Sequence, residues 1–183
     1  MRHHFLAQAT DVFAGRGIAT YRYEFPYMQA GKSRPDSPGV AEAAVRAAVV
    51  AASHRAPELP LIAGGKSFGG RMTSQAQAHE PLPGVRGLAF FGFPLHAPGK
   101  PATSRAEHLS KVRVPMLFLQ GTRDEFAQLD LVQQVVQGLG TLATLHLIEE
   151  GDHSFRVPKR TGKTEADIMN ELAEATATWA TGL

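Results

Sequence analysis

A serine flanked by glycines is the part of this sequence best suited to chemistry. The segment Gly65-Lys66-Ser67-Phe68-Gly69 has the pattern G-x-S-x-G and lies between an apolar run and a region of helical periodicity. On a sharp turn between strand and helix, the serine hydroxyl is lifted out of the sheet, and small residues on either side let the two elements approach each other. The pattern alone is common in a glycine-rich chain. Its position between a strand and a helix is what predicts a nucleophile.

A nucleophilic serine needs a histidine as base and a carboxylate that orients the base. When the serine lies on such a turn, the acid and then the histidine follow it along the chain, each after a strand. Asp124 follows the apolar run 114–120, and His153 follows the run 142–148. We therefore predict that Ser67, Asp124 and His153 act as nucleophile, orienting acid and base.

Other acids and histidines fit these roles less well. Glu125 and Asp130 are alternatives for the acid, although both stand further from the end of the strand. Asp152 adjoins the predicted base and is expected to shape the turn, whereas His146 falls inside a predicted strand. The remaining histidines precede the acid or lie outside the loops where the base is expected, namely His3, His4, His54, His79, His96 and His108.

Composition and motifs argue against several other functions. The chain has 183 residues, no cysteine, no H-E-x-x-H motif and no clustered metal ligands, so we expect no metal. Gly64-Gly65-Lys66-Ser67 resembles only the end of a phosphate-binding loop, and we expect no cofactor. The 19 basic and 17 acidic residues are scattered, which argues against a nucleic-acid partner. No apolar run approaches the roughly 20 residues of a membrane span. With no secretory signal at the N-terminus, a cytoplasmic location is expected.

The elements that must position these residues alternate along the chain. Five runs rich in apolar, β-branched or aromatic residues predict strands at 18–25, 59–63, 85–93, 114–120 and 142–148. Helical patterns predict helices at about 5–13, 38–54, 69–79, 105–110 and 129–139, and a last helix capped by Thr164 and Asp167.

This alternation predicts one α/β domain over residues 1–183, with a mostly parallel sheet and helices on both faces. Ligands of such sheets bind beyond the carboxyl ends of the strands. The predicted positions of Ser67, Asp124 and His153 all follow strands, so the fold and the chemistry are mutually consistent.

Several further segments resemble a known superfamily. The chain is similar to α/β-hydrolases on the dienelactone-hydrolase-like side, and to a narrower branch of small bacterial hydrolases related to a testis-expressed family and to a subunit of a chromatin-modifying complex. The segments that carry this resemblance are Tyr23-Glu24-Phe25-Pro26-Tyr27-Met28, Gly64 to Arg71, Phe93 to Pro101 and Gln120 to Asp124. The resemblance implies a Ser–Asp–His hydrolase with these roles on Ser67, Asp124 and His153, and with the Phe68 N–H as an oxyanion donor.

The sequence also departs from that superfamily. A His-Gly-rich loop that usually supplies the second oxyanion donor is absent, as are the early strands, including a central one between the runs 18–25 and 59–63. One explanation is that Met1 is an internal start of a longer protein; the other is that the short form is natural and its sheet has adapted. We favour the first. Losing one oxyanion donor typically lowers kcat by about 10²–10³.

The resulting hypothesis is a serine hydrolase of esterase type acting on a small carbonyl substrate. The loop that begins at Phe93 is expected to line the acyl pocket, with Phe93, Leu95 and His96 in its wall. No insertion is long enough for a lid domain. Peptidase and thioesterase activities remain open, and the alternative is a catalytically weak or inactive interaction module with the same fold.

Overall fold

The computed structural model describes residues 4–183. Met1 and His3 lie outside this range. The strands are β1 (Leu61–Lys66), β2 (Val85–Phe91), β3 (Met116–Gly121) and β4 (Ala143–Ile148). The helices are α1 (His4–Ala14), α2 (Pro26–Gln29), α3 (Pro38–Arg55), α4 (Phe68–His79), α5 (Leu129–Leu139) and α6 (Glu165–Ala180). Short 3₁₀ helices span Ser104–Lys111, Gly140–Leu142 and Lys159–Thr161.

The four strands form one parallel sheet in the order β1-β2-β3-β4. Alternate residues of β2 face opposite sides because successive side chains of a strand point to opposite faces. Leu88 and Phe90 pack with α3 and α4, whereas Ala89 and Phe91 pack with α1 and α6. Helices therefore cover both faces, which confirms the predicted α/β architecture.

The strand predicted at 18–25 does not form, and the sheet has four strands among the described residues rather than five. A strand requires a neighbour to accept and donate its backbone hydrogen bonds; among the described residues β1 pairs with β2 alone, and the segment 18–25 does not pair with its other edge. The apolar side chains of the segment are used differently. Phe25 is buried, and its ring packs edge-on against Phe68 at 5.3 Å between centroids.

The last helix begins as its sequence predicts. The Thr164 hydroxyl accepts a hydrogen bond from the Asp167 N–H at 3.2 Å, and the Asp167 carboxylate accepts one from the Thr164 N–H at 2.8 Å. This capping box satisfies two N–H groups that no helical carbonyl reaches. No helix in the part of the chain that the structure describes is long and apolar enough to cross a membrane.

Candidate active site

The turn from β1 to α4 holds Ser67 in an unusual backbone conformation. Its φ is +51° and its ψ is −116°, a region that non-glycine residues adopt only when the surrounding structure enforces it. Gly65 and Gly70 make the turn possible, because a Cβ on Gly70 would lie 2.7 Å from the Gly65 carbonyl oxygen. The Ser67 N–H donates to the Phe91 carbonyl at 3.1 Å, which holds the turn against β2.

The structure brings Ser67, His153 and Asp124 together in one chain of hydrogen bonds. His153 Nε2 lies 2.8 Å from Ser67 Oγ, and His153 Nδ1 lies 2.7 Å from Asp124 Oδ2. The Asp124 side chain is fully buried, and the His153 side chain is 16% exposed. An imidazole held in this way by a carboxylate carries its proton on Nδ1, so Nε2 can accept the serine proton.

The buried Asp124 carboxylate has two further partners. Its Oδ1 accepts the Phe126 N–H at 2.8 Å, and its Oδ2 accepts a hydrogen bond from the side-chain amide of Gln120. The amide oxygen of Gln120 in turn accepts the Phe93 N–H at 2.9 Å. Sequence analysis did not single out Gln120; a polar residue at the end of an otherwise apolar strand was the available signal.

The loops that carry the acid and the base are in contact. The Arg123 N–H donates to the Gly151 carbonyl at 2.8 Å, and the Thr122 N–H donates to the Ile148 carbonyl at 3.1 Å. The Phe126 ring lies 4.5 Å from the imidazole of His153, measured between centroids. Because parallel strands end at the same edge of the sheet, the two loops that follow them lie side by side.

The start of α4 points its free N–H groups toward the serine. The first N–H groups of a helix have no intrahelical acceptor, and the dipole of the helix favours negative charge at this end. Phe68 is the first residue of α4, so its N–H is placed to receive an oxyanion. The role of Phe68 as an oxyanion donor stays a prediction.

Lys66, directly before the serine, reaches the backbone of the histidine loop. Its Nζ donates to the His153 carbonyl at 2.7 Å and lies 5.0 Å from the centroid of Phe5 and 4.9 Å from that of Phe155. Burial lowers the pKa of Lys66 to about 8, although Asp124 and Asp152 act in the opposite direction. The sequence suggested only a surface side chain at this position, because contacts across 87 residues leave no local signal.

A cleft of about 270 Å³ adjoins Ser67 and His153. Aromatic and apolar side chains on the segment 22–28, together with Leu6, form much of its wall. Tyr27 and Met28 belong to this wall. The pKa of Tyr27 is raised, first by burial and second by the charge of Asp36, so its phenol stays protonated at neutral pH.

The predicted pocket residues Phe93, Leu95 and His96 lie elsewhere. They are 1%, 2% and 3% exposed, and none of them lines the cleft at Ser67. Phe93 and Leu95 belong to the core beneath α4. His96 accepts the Gln128 N–H at 3.2 Å through Nε2, and its Nδ1 donates to the Ala97 carbonyl at 2.9 Å. The prediction was wrong because the loop after β2 turns inward and its apolar side chains are more stable in the core.

The alternative acids and the alternative histidine lie apart from this chain of hydrogen bonds. Glu125 and Asp130 are exposed. Asp152 accepts the N–H groups of Ser154 and Arg156 at 2.7 and 2.9 Å, so it shapes the turn after the strand. His146, in β4, faces Glu171 on α6. Among residues 4–183 we find no group of three or more histidines and carboxylates arranged to hold a metal.

Comparison with known proteins identifies the family of the chain. Residues 1–181 match the model of a family described as an alpha/beta hydrolase domain, and the chain belongs to that family. An α/β serine hydrolase homologue from Coxiella burnetii superposes with a TM-score of 0.73 at 17% identity, covering 97% of this chain and 76% of its own.

Two further solved structures have the same fold. An α/β serine hydrolase without a lid, from Xanthomonas campestris, gives a TM-score of 0.73 at 21% identity and covers 98% of this chain and 75% of its own. The esterase domain of a Rhodothermus marinus protein gives a TM-score of 0.67 at 15% identity, with coverage of 96% and 79%. At these identities the likeness establishes the fold, and the chemistry must be argued from the site.

Proposed function

We propose that this protein is a serine hydrolase of esterase type, with Ser67 as nucleophile, His153 as general base and Asp124 as orienting acid. The observation that carries the proposal is the continuous chain of hydrogen bonds from Ser67 Oγ through the imidazole to the buried carboxylate, at 2.8 and 2.7 Å. Membership of the α/β-hydrolase family supports it. A small ester or thioester is the proposed substrate.

In the proposed acylation step, Ser67 Oγ forms a bond to the substrate carbonyl carbon while its proton passes to His153 Nε2. The resulting oxyanion is stabilised by the Phe68 N–H. His153 then gives its proton to the leaving alkoxide or thiolate, and the bond from the carbonyl carbon to that group breaks. Water hydrolyses the acyl-serine by the same route. Asp124 remains ionised throughout and stabilises the imidazolium.

The cleft argues for a small acyl group. Its volume of about 270 Å³ lies just below the range typical of drug-sized ligand pockets, and apolar and aromatic side chains form much of its wall. The relative from Xanthomonas campestris is described as a serine hydrolase without a lid, which supports a site without a lid here. The proposed placement in the dienelactone-hydrolase-like side of the superfamily, and in its small bacterial branch, rests on the motifs around Ser67 and after Phe93.

Fluorophosphonate labelling followed by intact-mass measurement tests this proposal. We expect a single adduct on the wild-type protein and none on Ser67→Ala. The chain offers a matched control, because Ser74 also lies 2.7 Å from a histidine nitrogen, that of His108, but is fully buried. Ser74→Ala should keep the adduct. A folded wild-type protein that takes no label, or takes it at Ser74, would overturn the proposal and favour a non-catalytic interaction module.

A further inference from the structure

A second cavity, of about 480 Å³, lies on the α1 and α6 side of the sheet. It is bounded by the start of α1, the start of α6 and the loop 154–157 that follows the histidine. This volume is within the range of small-molecule sites. Lys66 lines both this cavity and the cleft at Ser67, so the two spaces meet at the residue before the nucleophile.

Apolar side chains form one part of the wall of this cavity, and charged and polar side chains form the rest. Phe5 and Phe155 stack on each other at 5.8 Å with an angle of 23° between their planes. Val157, Ile168 and Met169 continue the apolar surface along the loop and the first turns of α6. A ligand with a short hydrocarbon chain would gain free energy by covering these side chains, because burial of apolar surface is favourable in proportion to its area.

The Lys66 ammonium in this wall forms no direct ion pair, although Asp124 and Asp152 lie near enough to raise its pKa. Within residues 4–183 no carboxylate lies within 4 Å of the Lys66 ammonium, which uses one hydrogen bond, to the His153 carbonyl. Since an ammonium has three donors, two remain for a ligand. Lys163, another cation in this wall, pairs with Glu171 at 2.7 Å.

A poorly solvated ammonium between two aromatic rings favours an anion as its partner. Burial lowers the pKa of Lys66 to about 8, which reports the cost of holding this charge away from water. A carboxylate would supply two acceptor oxygens for the two unused N–H groups and would offset the charge.

We propose that this cavity binds a small amphipathic carboxylate, with its head group on Lys66 Nζ and its hydrocarbon chain along Phe155 and Met169. Because Lys66 also donates to the His153 carbonyl, a carboxylate bound to the other two N–H groups weakens that hydrogen bond and alters the position of the histidine loop. This consequence for catalysis rests on the proposed function, whereas the binding itself does not.

Isothermal titration of Ser67→Ala protein with sodium hexanoate at pH 7 tests the binding without any turnover. We expect saturable binding of one hexanoate, and at least tenfold weaker binding after Lys66→Met, because a hydrogen-bonded charge pair is lost. 1-Hexanol, with the same chain and no charge, should also bind at least tenfold more weakly. Lys159→Met, which changes a lysine outside the cavity wall, should leave the affinity unchanged.

A second variant protects the test against misfolding of Lys66→Met. Val157 is half-buried in the cavity wall, so Val157→Trp should fill the space and abolish binding while Lys66 stays in place. Thermal unfolding identifies which variants are folded. Absence of hexanoate binding to Ser67→Ala, or unchanged affinity in the folded variants, would overturn the proposal.

The two sites can be told apart with wild-type protein already phosphonylated at Ser67. Hexanoate should still bind to it, because the adduct occupies the cleft and not the second cavity. Loss of binding on phosphonylation would place hexanoate in the catalytic cleft and overturn the proposal. If Ser67 takes no fluorophosphonate, the proposed function fails, and the titrations of Ser67→Ala and its cavity variants still decide the binding.

Discussion

Gly121 at the end of β3 lies so close to Gly151 that a Cβ on Gly121 would be 2.2 Å from the Gly151 carbonyl oxygen. The first glycine stands three residues before Asp124, and the second stands two before His153. This contact lets the loops of acid and base lie against each other. The hydrogen bond between Asp124 and His153 therefore depends on a backbone approach that only glycine permits.

Gly121→Ala tests that dependence. Its methyl group meets backbone atoms that cannot rotate away, so the two loops must separate. We expect the rate of fluorophosphonate labelling at Ser67 to fall about 10²-fold, since small displacements of catalytic groups are costly. Overpacking should also reduce the free energy of unfolding by about 1–3 kcal/mol. Labelling kinetics and urea denaturation measure the two effects.

Gly138→Ala is the matched control. This glycine lies in α5, and a Cβ there would meet nothing within 4 Å. Alanine should raise the free energy of unfolding by about 0.5–1 kcal/mol because it favours the helix, and the labelling rate should not change. Wild-type labelling kinetics in Gly121→Ala would show that the acid and base tolerate separation of their loops.

Asp124→Asn tests the role of the buried carboxylate. An asparagine amide would donate to His153 Nδ1 and favour the tautomer whose proton lies on Nε2, where it blocks acceptance of the serine proton. We expect kcat for ester hydrolysis to fall by about 10⁴ with the fold retained. Asp130→Asn, on the exposed side of α5, should have wild-type activity. Equal kcat for both variants would remove Asp124 from the mechanism.

The alternation of elements could be predicted from the sequence because each strand that formed has a partner. The runs that became β2 and β3 contain buried residues that pack on both faces of the sheet. The run 18–25 has the same local composition but no strand beside it, so its side chains pack without a ladder of hydrogen bonds. The preference of individual residues for strands does not indicate whether a neighbouring strand is available for pairing.

The candidate site could be predicted in part for a related reason. Residues that follow parallel strands converge at one edge of the sheet, which is why the sequence places Asp124 and His153 near Ser67. The wall of the cleft comes instead from the segment 22–28, far earlier in the chain, and no spacing rule reveals it. The link from Lys66 to His153 runs to a backbone carbonyl and leaves no pattern in the side chains.

Leu95→Ala and Met28→Ala separate the core from the cleft. Leu95 is 2% exposed in the core, so truncation should lower the free energy of unfolding by about 2–5 kcal/mol without changing KM. Met28 lines the cleft, and Met28→Ala should raise KM for butyryl relative to acetyl p-nitrophenyl esters, with a smaller loss of stability. A change in KM with Leu95→Ala and none with Met28→Ala would indicate that the loop after β2 forms the acyl pocket.

His108 should make the fold sensitive to acid. Burial, then the charges of Arg71 and His79, lower its pKa to about 4, below the ordinary value of 6.5. Between pH 6.5 and 4 the unfolded chain therefore binds more protons, and stability falls as the pH falls through this window. In His108→Gln, the stability lost between pH 7 and 5 should be smaller by about 1–2 kcal/mol. Urea unfolding at both pH values tests this, and identical losses in both proteins would contradict it.

Lys66 should make the stability of the protein depend on pH in the alkaline range as well. Its pKa is about 8 in the folded protein, mainly because of burial, and 10.5 is its ordinary value. From pH 8 to 10.5 the unfolded chain holds more protons, so wild-type stability should rise relative to Lys66→Met as the pH increases.

The charged and titratable groups around Lys66 do not change the sign of this effect. Asp124 and Asp152 raise the pKa of Lys66, but burial outweighs them. Arg156 and Lys163, the other cations of the second cavity, are present in both proteins, so their contribution cancels in the difference. Tyr23, whose pKa burial raises to about 12, is present in both proteins, so its contribution cancels in the difference. Parallel urea unfolding at pH 7.5 and 9.5 provides the measurement. A difference in stability that does not depend on pH would mean that Lys66 is well solvated, which would remove the reason for an anion beside it.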